Sequence, residues 1–179
     1  KGENMKKTFI KKQMTKKKIV RAAFDKGQKP LIACVNLSKG LDLNDFSNMV
    51  VALQSYATNL LYPAWRISCK LVMTSKPSVN NWNILFVDDA DVANALGYHE
   101  YTANGKPISY VFVNPTLNAR LTVSSVASHE LAEMIVDPAI NLWSDSPSGK
   151  LYAYEVCDAV EEEEFQHLGF TMSDFVFPS

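Results

Sequence analysis

His129-Glu130-Leu131-Ala132-Glu133 gathers an imidazole and two carboxylates within five residues, and these are the groups that hold and use a divalent cation. On a helix successive residues turn by about 100°. With His129 at zero, Glu133 falls near about 40°, Asp137 near about 80° and Glu130 near about 100°. Val123, Ala127, Leu131 and Met134 cluster between about 120° and 200°. The ionisable groups therefore border the apolar stripe, where a surface helix would turn them away from it. A carboxylate stripped of water needs a partner, and a cation supplies one. His129 and Glu133, at i and i+4, offer a nitrogen and an oxygen to one point, as zinc requires. Glu130 beside them is placed to act as general base on a water that the ion activates. The common H-E-x-x-H pattern has a second histidine where this chain has Glu133. That change hardens the donor set and opens it to other divalent ions.

A third ligand has to come from elsewhere, and Glu155, Asp158, Asp137 and His99 are the candidates. Glu155 and Asp158 rank first together, with Asp158 either a ligand or the support of one. Asp137 is on the right helix face but at the helix C-terminus, where a carboxylate is electrostatically disfavoured. Its presence there implies a local partner. His99 follows Gly97 in what reads as a loop, either lining the site or simply solvated. His167, after an acidic run, reads as a surface residue, and Glu161 to Glu164 as a solvated acidic turn. The alternative for the whole cluster is a helix whose His and Glu side chains hydrogen-bond neighbouring loops without any cation.

The elements that must position these groups follow from periodicity. The motif helix is expected over Thr122 to Val136, with Pro138 ending it. Phe46, Met49, Val50, Leu53, Tyr56, Ala57, Leu60 and Leu61 recur at three- and four-residue steps, which predicts a second, long amphipathic helix followed by Pro63. Pro30 to Val35, Trp65 to Thr74, Trp82 to Val87, Ile108 to Val113 and Leu151 to Val156 read as strands, with turns at Asn104-Gly105 and Ser146 to Gly149. Asp91 to Leu96 reads as a short helix stopped by Gly97. This order predicts an α+β domain with a mixed sheet over residues 29–179.

Charge sets residues 1–28 apart. Nine of the 18 basic residues lie before residue 22 with Glu3 the one acid, so that segment carries +8 and the remainder −9. It reads as a basic arm, extended or disordered, suited to nucleic acid or an acidic surface, or else as a solvated tail. No window approaches the roughly 18 apolar residues of a membrane span. No apolar run follows the N-terminal charges, so no secretory signal is read. Cys34, Cys69 and Cys157 make an odd count without metal-type spacing, and Cys34 and Cys69 read as small core residues.

The run Ser128 to Pro138 with Asn141 and Trp143, then Glu155 and Asp158, resembles the plant phosphate-induced (exordium-like) family, in which asparagine stands at the position of Asp137. That likeness argues against Asp137 as an essential ligand. A broader likeness joins this run to Ala95-Leu96-Gly97-Tyr98-His99, Tyr154 to Asp158 and Ser173 to Val176; it is to a set of uncharacterised bacteriophage proteins. Both resemblances imply a zincin-like metallopeptidase fold with one divalent ion, zinc being the one expected. Read with the motif above, the expected site has Glu130 as the catalytic residue and His129, Glu133, Glu155 and Asp158 as the ligand set, with Asp137 and His99 behind it. The 22 residues from Glu133 to Glu155 match zincins whose third ligand is a downstream glutamate. In zincins an edge strand beside the motif helix aligns a peptide by β-addition, and Ile108 to Val113 is the strand expected to do so.

Two functions of different class follow. One is a phage-encoded, metal-dependent, peptidase-like hydrolase with a peptide or protein substrate. The other is a structural virion component of head, neck or tail that keeps the fold without catalysis and contacts neighbouring virion proteins. Either places the chain in the host cytoplasm or the virion.

Overall fold

An unbroken apolar run such as Leu31-Ile32-Ala33-Cys34-Val35 needs cover on both faces, and the chain gives it an inner position. In a computed structural model, which describes residues 29–145 and 148–178, these residues form β1 (Leu31–Asn36). β1 is flanked by β2 (Lys70–Met73) and β3 (Trp82–Val87), both parallel to it. β5 (Pro107–Phe112) continues the parallel set on β3, and β4 (Gly97–Tyr101) closes the edge antiparallel to β5. The order is β2-β1-β3-β5-β4, a mixed sheet as expected. The basic arm, residues 1–28, and Ser146-Pro147 of the expected turn lie outside the described residues.

Two long helices lie on one face of the sheet. α1 (Leu43–Tyr56) starts at Asp42, whose carboxylate accepts from the amides of Asn44 and Asp45, satisfying donors a helix start leaves open. The helix was expected to stop before Pro63, but it runs on. A wide turn over Ala57–Leu61 leads into α2 (Tyr62–Trp65), which ends at Arg66 in the left-handed conformation, φ 59°. The wide turn lets Tyr62 N–H reach Ala57 O, five residues back, and the missing N–H of Pro63 then falls in a first turn, where none is needed. The strand expected over Trp65 to Thr74 is accordingly cut to β2. Gln54 ties α1 to it, accepting from Leu71 N at 2.7 Å.

Val113 leaves the expected Ile108 strand to begin α3 (Val113–Asn118). The motif helix, α4 (Val123–Val136), is capped by Thr122 and is buried along its whole length. One core joins Cys34, Ile84 and Phe86 of the sheet to Phe46 and Leu53 of α1 and to Leu131 and Ile135 of α4. Ala33, Val35, Leu85 and Ile108 make a smaller cluster on the opposite face. Cys34 and Cys69 are buried core residues, as expected, with burial pushing both thiols up to about 12.

Beyond α4 the chain forms two hairpins. β6 (Trp143–Asp145) pairs with β7 (Leu151–Ala153), so the strand expected over Leu151 to Val156 is halved. β8 (Glu164–His167) pairs with β9 (Phe170–Ser173). Their turn, Leu168-Gly169, has φ positive at both residues, 49° and 82°, the geometry that suits the right-handed twist of a two-residue hairpin. Asp91 to Leu96, expected to be helical, is a series of bends and turns. Among the described residues no helix is long and apolar enough to cross a membrane.

Candidate metal centre

α4 turns His129 and Glu133 to the same side, and the segment after β7 comes back to meet them. His129 Nε2 stands 3.3 Å from Glu133 Oε1 and 3.5 Å from Asp158 Oδ1. The His129 and Glu133 side chains are nearly shut from solvent, at 3% and 6% exposure, whereas Asp158 is 39% exposed and forms the outer side of the cluster. The charge of Glu133 acts on Glu155 and helps to raise it, so both of the favoured downstream residues come near the helix motif.

β8, β9 and the C-terminal strand-like run hold that return segment in place. Ser124 Oγ donates to Thr171 O at 2.7 Å, Ser125 Oγ to Glu164 Oε1 at 2.6 Å, and Ser173 N to Ser128 Oγ at 2.8 Å. Val176 N donates to Val156 O at 2.8 Å, and Cys157 N to Glu133 Oε1 at 3.3 Å. Serines on the motif helix thus fix the hairpin, and the residues after it fix the approach of Glu155 and Asp158.

Glu130 points to the other side, towards β4. Its carboxylate is buried, and His99 Nδ1 lies 3.7 Å from Oε2. His99 is therefore not a loop residue: it sits on β4 and reaches the cluster. Gly97 is what admits Glu130, since a Cβ there would fall 2.8 Å from Glu130 Oε1 and 2.9 Å from Tyr110 O. In the β4–β5 ladder Phe112 N donates to Leu96 O and Thr102 N to Lys106 O. The alternation of an antiparallel pair then turns the backbone groups of Gly97, His99 and Tyr101 to the free edge. Ile108 to Val113, expected to be the edge strand, lies instead between β3 and β4. It is too continuously apolar for an edge, which explains its inner place.

Asp137 is not among the converging groups. Its two oxygens accept from the amides of Asn141, at 3.2 Å, and Leu142, at 2.9 Å, so it is the local partner of the loop that leaves α4. His167 is no free surface residue either: its Nε2 lies 2.9 Å from Ser55 Oγ, joining β8 to α1. Of the acidic run Glu161 to Glu164, Glu164 belongs to β8 and is engaged by Ser125. Cys157, to which no site role was given, brings a sulfur within 4.8 Å of the His129 and Glu133 ligand atoms. Its place beside Asp158 was the available signal. Burial pushes its thiol well up in the metal-free protein, and Sγ contacts His129 O at 3.9 Å.

Electrostatics set the cluster's protonation. Burial alone would depress His129, but the charge of Glu133 and the adjacent Asp158 carboxylate outweigh it and raise the imidazole well above its usual range. Burial likewise opposes the ionisation of Glu133, yet His129 holds it below the usual carboxylate range. Burial raises Glu130. Glu155 is pushed up to about 8, first by burial and then by the neighbouring Glu133 charge.

No family model matches the chain, and no curated protein or solved structure is significantly similar to it.

Proposed function

We propose that this chain is a zincin-like metal-binding domain, phage-encoded, that acts as a metal-dependent hydrolase on peptide bonds. The observation that carries the reading is the pair of spacings around His129 Nε2. Contacts of 3.3 and 3.5 Å to Glu133 and Asp158 exceed an ordinary N–H···O hydrogen bond. Ligand atoms about 2.0–2.1 Å from a tetrahedral ion stand about 3.3–3.4 Å from one another. His129 thus stands from each of the two carboxylates at the spacing of ligands that share one zinc ion, with Cys157 Sγ grouped beside His129 and Glu133 and Glu155 as support or as the alternative ligand.

A divalent ion held there would acidify a water and polarise a scissile carbonyl. Glu130, adjacent on the helix and raised by burial, is suited to take the water's proton and return it to the leaving amine. The outward backbone groups of Gly97, His99 and Tyr101 would receive an extended peptide by strand addition, alongside Glu130.

The deep burial of His129 and Glu133 favours a second reading, in which the ion merely ties α4 to the return segment of a virion component. Elemental mass spectrometry of the wild type and a His129→Ala/Glu133→Ala variant, with a protease substrate screen, separates the cases. One equivalent of zinc, lost in the variant, with hydrolysis supports the enzyme; zinc without hydrolysis supports the structural role. No metal after zinc addition would sink both.

A further inference from the structure

The cluster contains more donors than one ion can use. After His129, Glu133 and Asp158 are assigned, His99 and Glu130 remain on the β4 side. One ligand atom from each of His99, Glu130 and Glu133 lies within 4.8 Å of the others. Glu133 belongs to this group and to that of His129, and its two carboxylate oxygens allow it to serve both. Glu130 Oε2, facing His99 Nδ1 at 3.7 Å, has no hydrogen-bond partner among the described residues, nor has His99 Nε2. Both side chains are at least nine-tenths buried, at 1% and 5% exposure. Native structures seldom leave buried polar atoms in that state without an unplaced water or ion.

Charge points the same way. Glu130, Glu133, Glu155 and Asp158 bring four carboxylates against two imidazoles. A single dication with neutral histidines leaves two negative charges uncompensated in a region of low polarity, where each is costly. Two dications would balance the four.

We infer that His99, Glu130 and Glu133 form a second, weaker divalent-cation site next to the first, and that filling it silences the general base. The inference rests on the reading of His129, Glu133 and Asp158 as the primary centre. The second ion binds more weakly because it shares Glu133 and is repelled by the first. It occupies the lone pair with which Glu130 would accept a proton, so zinc in excess of one equivalent inhibits the enzyme that the first equivalent activates. The ligand class is a borderline transition-metal dication, since imidazole and carboxylate donors suit zinc better than magnesium or calcium.

Equilibrium dialysis of the full chain against increasing zinc, read by elemental mass spectrometry, tests this. Wild type is expected to bind one equivalent tightly and a second at higher zinc. His99→Ala and the polar His99→Gln should keep the first equivalent and lose the second, and His129→Ala should lose the tight one. Two histidine variants and the wild-type stoichiometry leave a result even if one variant does not fold. A wild type that saturates at one equivalent overturns the second site and leaves the primary centre standing. So does a second equivalent that survives in both His99 variants, which would lie elsewhere. No zinc in wild type overturns the primary centre as well.

Discussion

Gly97 and Glu130 are packed so closely that any side chain at position 97 would occupy the place of the Glu130 carboxylate, a Cβ falling 2.8 Å from Oε1 and 2.9 Å from Cγ. Gly97→Ala is therefore expected to destabilise the protein by about 1–3 kcal/mol, the usual cost of overpacking a filled interior. Adding Glu130→Ala should recover part of the loss. The remainder should persist, because Tyr110 O, 2.9 Å from the same Cβ, is backbone. Urea denaturation of the two single variants and the double variant gives the coupling; strict additivity would refute the contact.

Glu130→Gln keeps the shape of the side chain and removes the base. At one equivalent of zinc its metal content should equal that of the wild type, while hydrolysis falls by about 10²–10⁴, the usual share of a general base. Loss of the tightly held metal in this variant would make Glu130 a primary ligand and end its assignment as base.

The metal-free cluster holds protons that a cation must displace. Glu155 is raised to about 8 and His99 to about 9; in His99, burial opposes the shift and Glu130 drives it. Both groups bind protons more tightly folded than unfolded. Their contribution to stability is thus complete below the unfolded values, near about 4.3 and 6.5, and is lost as pH rises through about 8 and 9. The melting temperature of metal-free protein should fall from pH 5 to pH 9. Zinc affinity should rise from pH 6 to pH 8, with proton release seen as a buffer-dependent binding enthalpy. A melting temperature that climbs over this range would contradict the assignment.

Asp137 accepts from the loop amides of Asn141 and Leu142. Asp137→Ala strips the Asn141 and Leu142 amides of their acceptor and should cost about 1–3 kcal/mol, with zinc stoichiometry unchanged. Asp137→Asn retains one oxygen and should cost less. Chemical denaturation gives the first quantity and elemental analysis the second; a drop in zinc content of the folded Asn variant would restore Asp137 to the ligand set.

The clustering of the candidate residues was legible in the sequence to the extent that one helix carries them. The i and i+4 spacing of His129 and Glu133 survives folding directly, and Asp158 and Glu155 stood out as acids that the chain places after a turn. What a helical wheel does not carry is which strand comes alongside. His99 looked like a loop residue because Gly97 reads as a stop, whereas the glycine is there for want of a side chain between β4 and Glu130. The edge was misplaced for a related reason: periodicity finds Ile108 to Val113 as a strand but says nothing of its neighbours. Pro63 ended the second helix on paper because a five-residue hydrogen-bond step is invisible in composition. The hairpin of β8 and β9 was hidden by a turn, Leu168-Gly169, in which leucine takes positive φ against its preference.

His129 and Asp158 meet across 29 residues of chain, and the cysteines of the described residues are free. An ion gripped by both residues would tie α4 to the return segment and stabilise the folded state by its own binding free energy. This staple would be indifferent to reducing conditions and open to chelators, so the β6–β7 hairpin between the two residues should be the region a protease attacks first once the metal is withdrawn.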